Sequence, residues 1–340
     1  MEFMINIDIA EPKQKISYRH SILLTGSCFT EHIGDTLAEL KFQVLQNPNG
    51  ILFDPLSVSS SLVSYTIDHI YTKRDLFYLN ECWNSWQHHS RFSHPDQNIC
   101  LQLINDSREA AHDFLKNAEW LVITLGTAFS YRLTDAAPAE YRNGLQILSA
   151  VANNHRAPAQ WFRKHLMAIE EINSVLDNCL HQLFQFNPRL KIIFTVSPVR
   201  HIRDGVVDNN RSKARLLEVT HNLVNKFDQL YYFPAYELVI DVLRDYRFYD
   251  VDLVHPNYPA TEFVLEKFME SYIDKPSQQL AEEIRQIVTA RKHKPFQPTT
   301  EAHKKFLESF SLKTKELAGK YPFLSLNEEM DYFSRSSQSL

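Results

Sequence analysis

Ser21-Ile22-Leu23-Leu24-Thr25-Gly26-Ser27-Cys28-Phe29-Thr30 is the stretch on which the reading of this chain turns. Ser21 to Thr25 is an apolar run of strand character, Gly26 permits a sharp turn, and Phe29 to Leu40 has helical spacing. A strand that turns directly into a helix presents Ser27 at the helix start, where free N–H groups and a partial positive charge favour an anion. Serine is also a favoured helix cap, so the turn alone leaves Ser27 as nucleophile or as cap. Cys28 is a rival nucleophile at the same spot, or a small buried apolar residue.

The same alternation continues outward from this segment. Phe42 to Gln46 reads as a strand, followed by the turn Asn47-Pro48-Asn49-Gly50 and a helix from Leu56 to Asp68. Trp120 to Leu125 and Lys191 to Val196 are continuous apolar runs, as expected of strands buried on both faces. Helical spacing covers Pro158 to Phe184, Asn209 to Phe227 and Tyr258 to Ile273, with a short strand at Leu230 to Phe233. Strand alternating with helix predicts an α/β fold with a parallel central sheet, its reactive groups on loops at the carboxyl ends of the strands.

Two regions break the pattern. Residues 69–105, with Tyr78, Trp83, Trp86, His88, His89 and His94, are expected to form an insertion that folds over one edge of the site as a hairpin. After Pro276 strand signals cease, while Gln278 to Lys292 and Thr299 to Lys320 have helical periodicity. The expected division is an α/β domain over 1–275 and a helical extension over 276–340. That extension packs on the domain or joins copies as a homo-oligomer, and Ser334 to Leu340 are expected to fray.

Lys and Arg number 36 against 41 Asp and Glu, a net charge of −5 that argues against a nucleic-acid partner. No apolar run approaches the roughly 20 residues of a membrane span. The opening Met1–Asp8 lacks a basic start followed by an apolar stretch, and Cys28, Cys82, Cys100 and Cys179 show no C-x-x-C spacing. These features point to a cytoplasmic protein with reduced thiols. His88, His89 and His94 have no carboxylate or cysteine at ligand spacing, so neither a metal nor another cofactor is expected.

Late in the chain, Asp252-Leu253-Val254-His255-Pro256-Asn257 places a carboxylate three residues before an imidazole. The gap lets Asp252 accept from His255 Nδ1–H within one loop, leaving Nε2 to take a proton from a serine. Pro256 keeps His255 out of the helix that follows. Asp250 is a less well-spaced alternative. With Ser27, this completes the set a serine hydrolase needs, in the order Ser, Asp, His.

Gly26-Ser27-Cys28-Phe29-Thr30 resembles the motif of the GSCFA family, with Thr30 where the name has alanine. Asn47-Pro48-Asn49-Gly50-Ile51, His88-His89-Ser90-Arg91-Phe92, Thr124-Leu125-Gly126-Thr127, Ser197-Pro198-Val199 and Ser212-Lys213-Ala214 also look like that family, over roughly 15–275. The family is similar to the SGNH, or GDSL-like, hydrolases and acyltransferases. That similarity implies a flavodoxin-like three-layer α/β/α sandwich, Ser27 as nucleophile, and Asp252 and His255 as the final block. It also implies that the Ser27 and Gly50 amides bind the oxyanion. The third block, Gly-x-Asn, is Gly126-Thr127-Ala128 here, so the asparagine donor is missing, a loss worth about 2.7–4 kcal/mol. Thr127, Asn49 and a histidine of the insertion, His88 or His89, remain open as its replacement.

Arg200 and His201 follow the strand ending at Val196 and are candidates to hold a polar part of the substrate. Ser212 and Lys213 are adjacent on a helix and do not face each other, which argues against a Ser-Lys dyad. The resulting expectation is a cofactor-independent serine esterase or O-acyltransferase acting on a small-molecule or carbohydrate ester, the sugar stacking on the aromatic insertion. The alternative is a non-catalytic ligand- or carbohydrate-binding protein on the same fold with an incomplete oxyanion hole.

Overall fold

The chain opens with β1 (Ser21–Gly26), α1 (Cys28–Glu39), β2 (Gln43–Gln46) and α2 (Pro55–Thr66) in a computed structural model that describes residues 4–142 and 151–338, with side chains to 334. A hairpin of β3 (Phe77–Leu79) and β4 (Cys82–Asn84) precedes α3 (Gln97–Asn117) and β5 (Trp120–Leu125). Then come β6 (Phe129–Leu133), β7 (Phe162–Leu166), α4 (Ile169–Phe186), β8 (Lys191–Val196), α5 (Val206–Lys226) and β9 (Leu230–Tyr232). A short α6 (Ala235–Glu237) continues as a π-helical turn, and α7 (Tyr258–Tyr272), α8 (Lys275–Lys292), α9 (Glu301–Lys320) and α10 (Asn327–Gln338) complete the chain.

Five strands form one parallel sheet in the order β2-β1-β5-β8-β9. Counted within that sheet the order is 2-1-3-4-5, the flavodoxin-like doubly wound arrangement, and the winding reverses between β1 and β5. Period-two alternation explains the layers. Ile22, Leu24, Trp120, Val122 and Ile193 join one core with Phe29, Ile33 and Leu37 of α1 and Phe268 and Tyr272 of α7. Their neighbours Leu23, Leu121, Ile123, Ile192 and Phe194 join the opposite core with Leu62 of α2, Leu115 of α3, Leu176 of α4 and Leu216 of α5. The result is the expected three-layer α/β/α sandwich. Each fully buried Leu, Ile or Phe side chain contributes roughly 1.5–3 kcal/mol, so neither face of the sheet can be left bare.

Two local expectations are corrected. The helix expected from Pro158 begins only at Ile169, because Phe162–Leu166 pairs antiparallel with Phe129–Leu133 and a long-range ladder overrides local spacing. The irregular insertion is shorter than 69–105, since Asp96 caps α3 through the N–H groups of Asn98 and Ile99. Cys100, Ile104, Arg108, Ala111 and Leu115 then make a buried helical stripe. Helix α10 is described to Gln338.

Helices α8 to α10 pack on the chain itself. Ile284 and Ile287, Leu307 and Leu317, and Leu326 and Phe333 share one core with Ile33 and Leu37 of α1. The carboxylate of Glu329 is fully buried, 2.9 Å from Lys41 Nζ and 3.1 Å from Arg291 Nη1. Among the described residues no helix is long and apolar enough to cross a membrane. Glu329→Ala leaves Lys41, whose side chain is 13% exposed, without its counter-charge. The expected loss is about 1–3 kcal/mol in urea unfolding, with faster proteolysis between α8 and α9. Unchanged stability and cleavage would mean that the apolar contacts alone hold the tail.

Candidate active site

At the end of β1, Gly26 has φ +144°, and a Cβ there would lie 2.3 Å from the Thr124 carbonyl oxygen of β5. Glycine therefore lets β1 stay paired with β5 to its own last residue, and Asn47 Oδ1 accepts the Gly26 N–H at 2.9 Å. Ser27 precedes the first residue of α1, yet its side chain caps nothing. Its hydroxyl is buried and has no hydrogen-bond partner among the described residues. An unpaired buried hydroxyl is uncommon and points away from a merely structural serine. Cys28 beside it is partly buried, and that burial raises its thiol pKa and weakens it as a nucleophile.

The Asp252–His255 loop is built around one carboxylate. Asp252 Oδ2 lies 2.6 Å from His255 Nδ1, while Oδ1 accepts the N–H groups of Val254 (2.9 Å) and His255 (3.1 Å). The His255 side-chain contact, then these two amides, hold the Asp252 carboxyl down to about 2. Leu253 adopts φ +58°, a left-handed conformation that folds the loop back on itself. Asp250 uses its backbone instead, its N–H donating to His255 O at 2.8 Å. Arg200 ties this loop to the end of β8. Its N–H donates to Val254 O, its guanidinium donates to Leu253 O, and it stacks 4.0 Å over the Tyr249 ring.

Ser27, Thr127, Arg200, His201, Asp252 and His255 all line one cavity of about 560 Å³. It lies beyond the carboxyl ends of β1, β5 and β8, beside the point where the winding reverses. No hydrogen bond joins Ser27 to His255, and the side chains of Asp252 and His255 are half-exposed. Ile51, Phe53, Phe129, Tyr131, Val199 and Ile202 make the walls apolar, and Lys164, ion-paired with Asp204, stands at the rim. His201 is largely buried there, which lowers its pKa to about 4, the Lys213 ammonium adding to the effect.

Other expected residues lie elsewhere. Gly50 N–H donates to Asn47 O at 2.7 Å, and a Cβ on Gly50 would fall 2.1 Å from His89 Cβ, so this glycine serves a turn. Asn49 accepts from Tyr65 Oη at 2.9 Å and is buried away from the cavity. His88 is buried with Nδ1 2.9 Å from Ser85 Oγ, and His89 Nδ1 accepts from Arg91 N–H. Ser27 N–H, expected to face the oxyanion, donates to Thr124 O at 3.2 Å. None of residues 69–105 lines the cavity. Trp86 is stacked on Phe77 with ring centroids 3.8 Å apart, because large aromatic surface is better buried in a core of its own. The insertion therefore does not cover the site.

Helix α5 supplies what the sequence reading set aside. Ser212 Oγ accepts the Ala128 N–H at 2.7 Å and lies 2.9 Å from Thr127 Oγ1. Lys213 Nζ donates to Gly126 O and to Ser197 O, each at 2.6 Å. The two side chains do not meet, as helical geometry requires, but both grip the loop after β5. Their sequence signal was the stretch Ser212-Lys213-Ala214. Among the described residues no group of three or more His, Cys, Asp or Glu is placed to hold a metal ion.

A serine and an Asp-His pair on one cavity, at the switch point of a flavodoxin-like sheet, define the class of α/β protein to which this chain belongs. It is a member of the GSCFA family: the family model matches residues 21–268, and that of the GSCFA domain protein, C-terminal domain, matches 284–338. No curated protein matches the chain. Among solved structures it is similar to a Clostridium thermocellum family 3 carbohydrate esterase at 8% identity, with a TM-score of 0.34, over 74% of this chain and 94% of that one. A likeness that weak decides nothing about this chain.

His88 and His201 make the fold acid-sensitive. Burial lowers their pKa values from 6.5 to about 3 and about 4, so the unfolded chain takes up protons before the folded one. Their contribution is fully present above pH 6.5 and is lost as the pH falls through the folded values, by up to about 1.4 kcal/mol per pH unit for each. Urea unfolding at pH 7.5, 6 and 5 should show this decline, and His201→Asn should flatten it. Equal stability at all three pH values would show these imidazoles to be hydrated.

Proposed function

We propose that the chain is a serine esterase or O-acyltransferase acting through Ser27, His255 and Asp252. The observation that carries this reading is a single one. An unpartnered serine hydroxyl and a carboxylate-oriented imidazole, 228 residues apart in sequence by their numbers 27 and 255, open onto the same apolar-walled cavity.

The steps follow from these groups. Ser27 Oγ attacks an acyl carbonyl carbon while His255 Nε2 takes its proton, and Asp252 stabilises the imidazolium through Nδ1–H. The tetrahedral oxyanion faces the start of α1, where Cys28 N–H meets only its own thiol among the described residues, and Ile51, whose N–H has no partner among them. Collapse breaks the ester C–O bond, and the imidazolium returns its proton to the departing alcohol. Water or a second hydroxyl, deprotonated by His255, then releases the acyl group from Ser27. Substrate binding draws the imidazole onto Ser27, since catalytic hydrogen bonds commonly tighten only in the complex.

Phe53, Phe129, Val199 and Ile51 suit an apolar acyl chain. Trp86 is buried and neither Trp83 nor Trp86 lines the cavity, which removes the support they lent to a stacked sugar. A non-catalytic binding protein is the second reading, favoured by the absent Ser27–His255 hydrogen bond and by Ala128 in the asparagine position.

A fluorophosphonate probe separates the two. Labelling is expected on the Ser27 peptide, absent in Ser27→Ala and slowed by a factor on the order of 10³ or more in His255→Ala. If a control esterase labels and this protein does not, the binding reading takes its place. Product analysis with and without a hydroxyl acceptor then tells hydrolase from transferase.

A further inference from the structure

Lys213 lies in the middle of α5 and is 1% exposed, an unusual place for an ammonium group. Its Nζ donates to Gly126 O and Ser197 O, the residues just past the ends of β5 and β8. No carboxylate pairs with it among the described residues. The titratable groups facing it are the Cys28 thiol from α1, the His201 imidazole from the loop after β8, and the Tyr236 ring of α6 at 6.0 Å. Cys28 and His201 line the cavity, so an unbalanced positive charge sits directly behind its wall.

The same stretch lacks the amide donor expected after Gly126. Ala128 is fully buried in the core facing α2, α4 and α5, and its N–H is taken by Ser212 Oγ. A side chain at 128 is therefore directed into packing. We propose that Lys213 is the positioning residue that replaces the missing asparagine. It fixes the Gly126 and Ser197 peptides that frame the cavity, and its charge favours the anion that forms on the substrate carbonyl. It transfers no proton. This inference rests on the Ser27 reading and names the electrostatic partner of that site. A buried charge with only carbonyl partners costs stability, and compensation by a transient anion is the chemistry that such a cost can serve.

Burial lowers the Lys213 pKa to about 7, so its charge is lost within an accessible pH range. The rate of fluorophosphonate labelling in the unaltered protein should fall above about pH 7, as Lys213 loses its proton. Lys213→Met should label roughly a hundredfold more slowly and lose the descending limb. A wild-type rate that keeps climbing to pH 9, or a Met variant that labels at the wild-type rate, overturns the proposal. If the Met variant does not fold, the wild-type profile decides. Alkylation of Cys28 by iodoacetamide, followed on its own peptide, reports the same charge without any use of Ser27. At pH 6, where Lys213 is still charged, alkylation should be several-fold slower in Lys213→Met, and equal rates again refute the inference. A wild type that never labels overturns the triad reading instead, and the thiol alkylation at pH 6 then decides the role of Lys213.

Discussion

The closure of β1 against β5 at Gly26 and Thr124 is the constraint from which the rest follows. With no Cβ on Gly26, the Thr124 carbonyl can approach until β1 pairs to its end and Ser27 N–H is drawn into the same ladder. Because these two strands flank the reversal of winding, connections leave them toward opposite faces of the sheet. A cleft opens there without any dedicated device. Ser27 stands in that cleft because of the sheet's order. The helix start behind it and the loops after β5 and β8 arrive at the same rim for the same reason.

Around this rim, rigidity and charge come from different elements. Arg200 clamps the Asp252–His255 loop by two hydrogen bonds and by stacking on Tyr249, while the Asp252 carboxylate accepts two of that loop's own amides. Consecutive residues of α5, Ser212 and Lys213, hold Ala128, Thr127 and Gly126 from behind. The imidazole is thus oriented from the solvent side and the β5 loop from the core side. Among the described residues nothing pairs with the serine hydroxyl between them.

Legibility in the chain followed the range of the interactions. The buried runs Trp120–Leu125 and Lys191–Val196, and the Asp-x-x-His loop, are local patterns, and each appears in the structure where its residues suggested. Phe162–Leu166 lies in a stretch of helical spacing but forms a strand, because its partners are 29 to 37 residues away (Leu133 with Phe162, Phe129 with Leu166). The Gly50 amide is spent on a turn with Asn47 O, a pairing that the residue types alone do not record. Trp83, Trp86 and the paired histidines resembled a substrate-binding surface. Composition does not say whether aromatic surface faces a ligand or its own neighbours, and here it faces its neighbours.

The sequence by itself determined the layered α/β fold, through strand-helix alternation and apolar periodicity. It also determined the pairing of Asp252 with His255, since both depend on residues close along the chain. Tertiary structure alone decided which distant groups share the cavity, which amides remain free and which lysine lies buried behind the wall. Those outcomes depend on strand order and on competition among far-apart donors and acceptors. No local pattern records that competition.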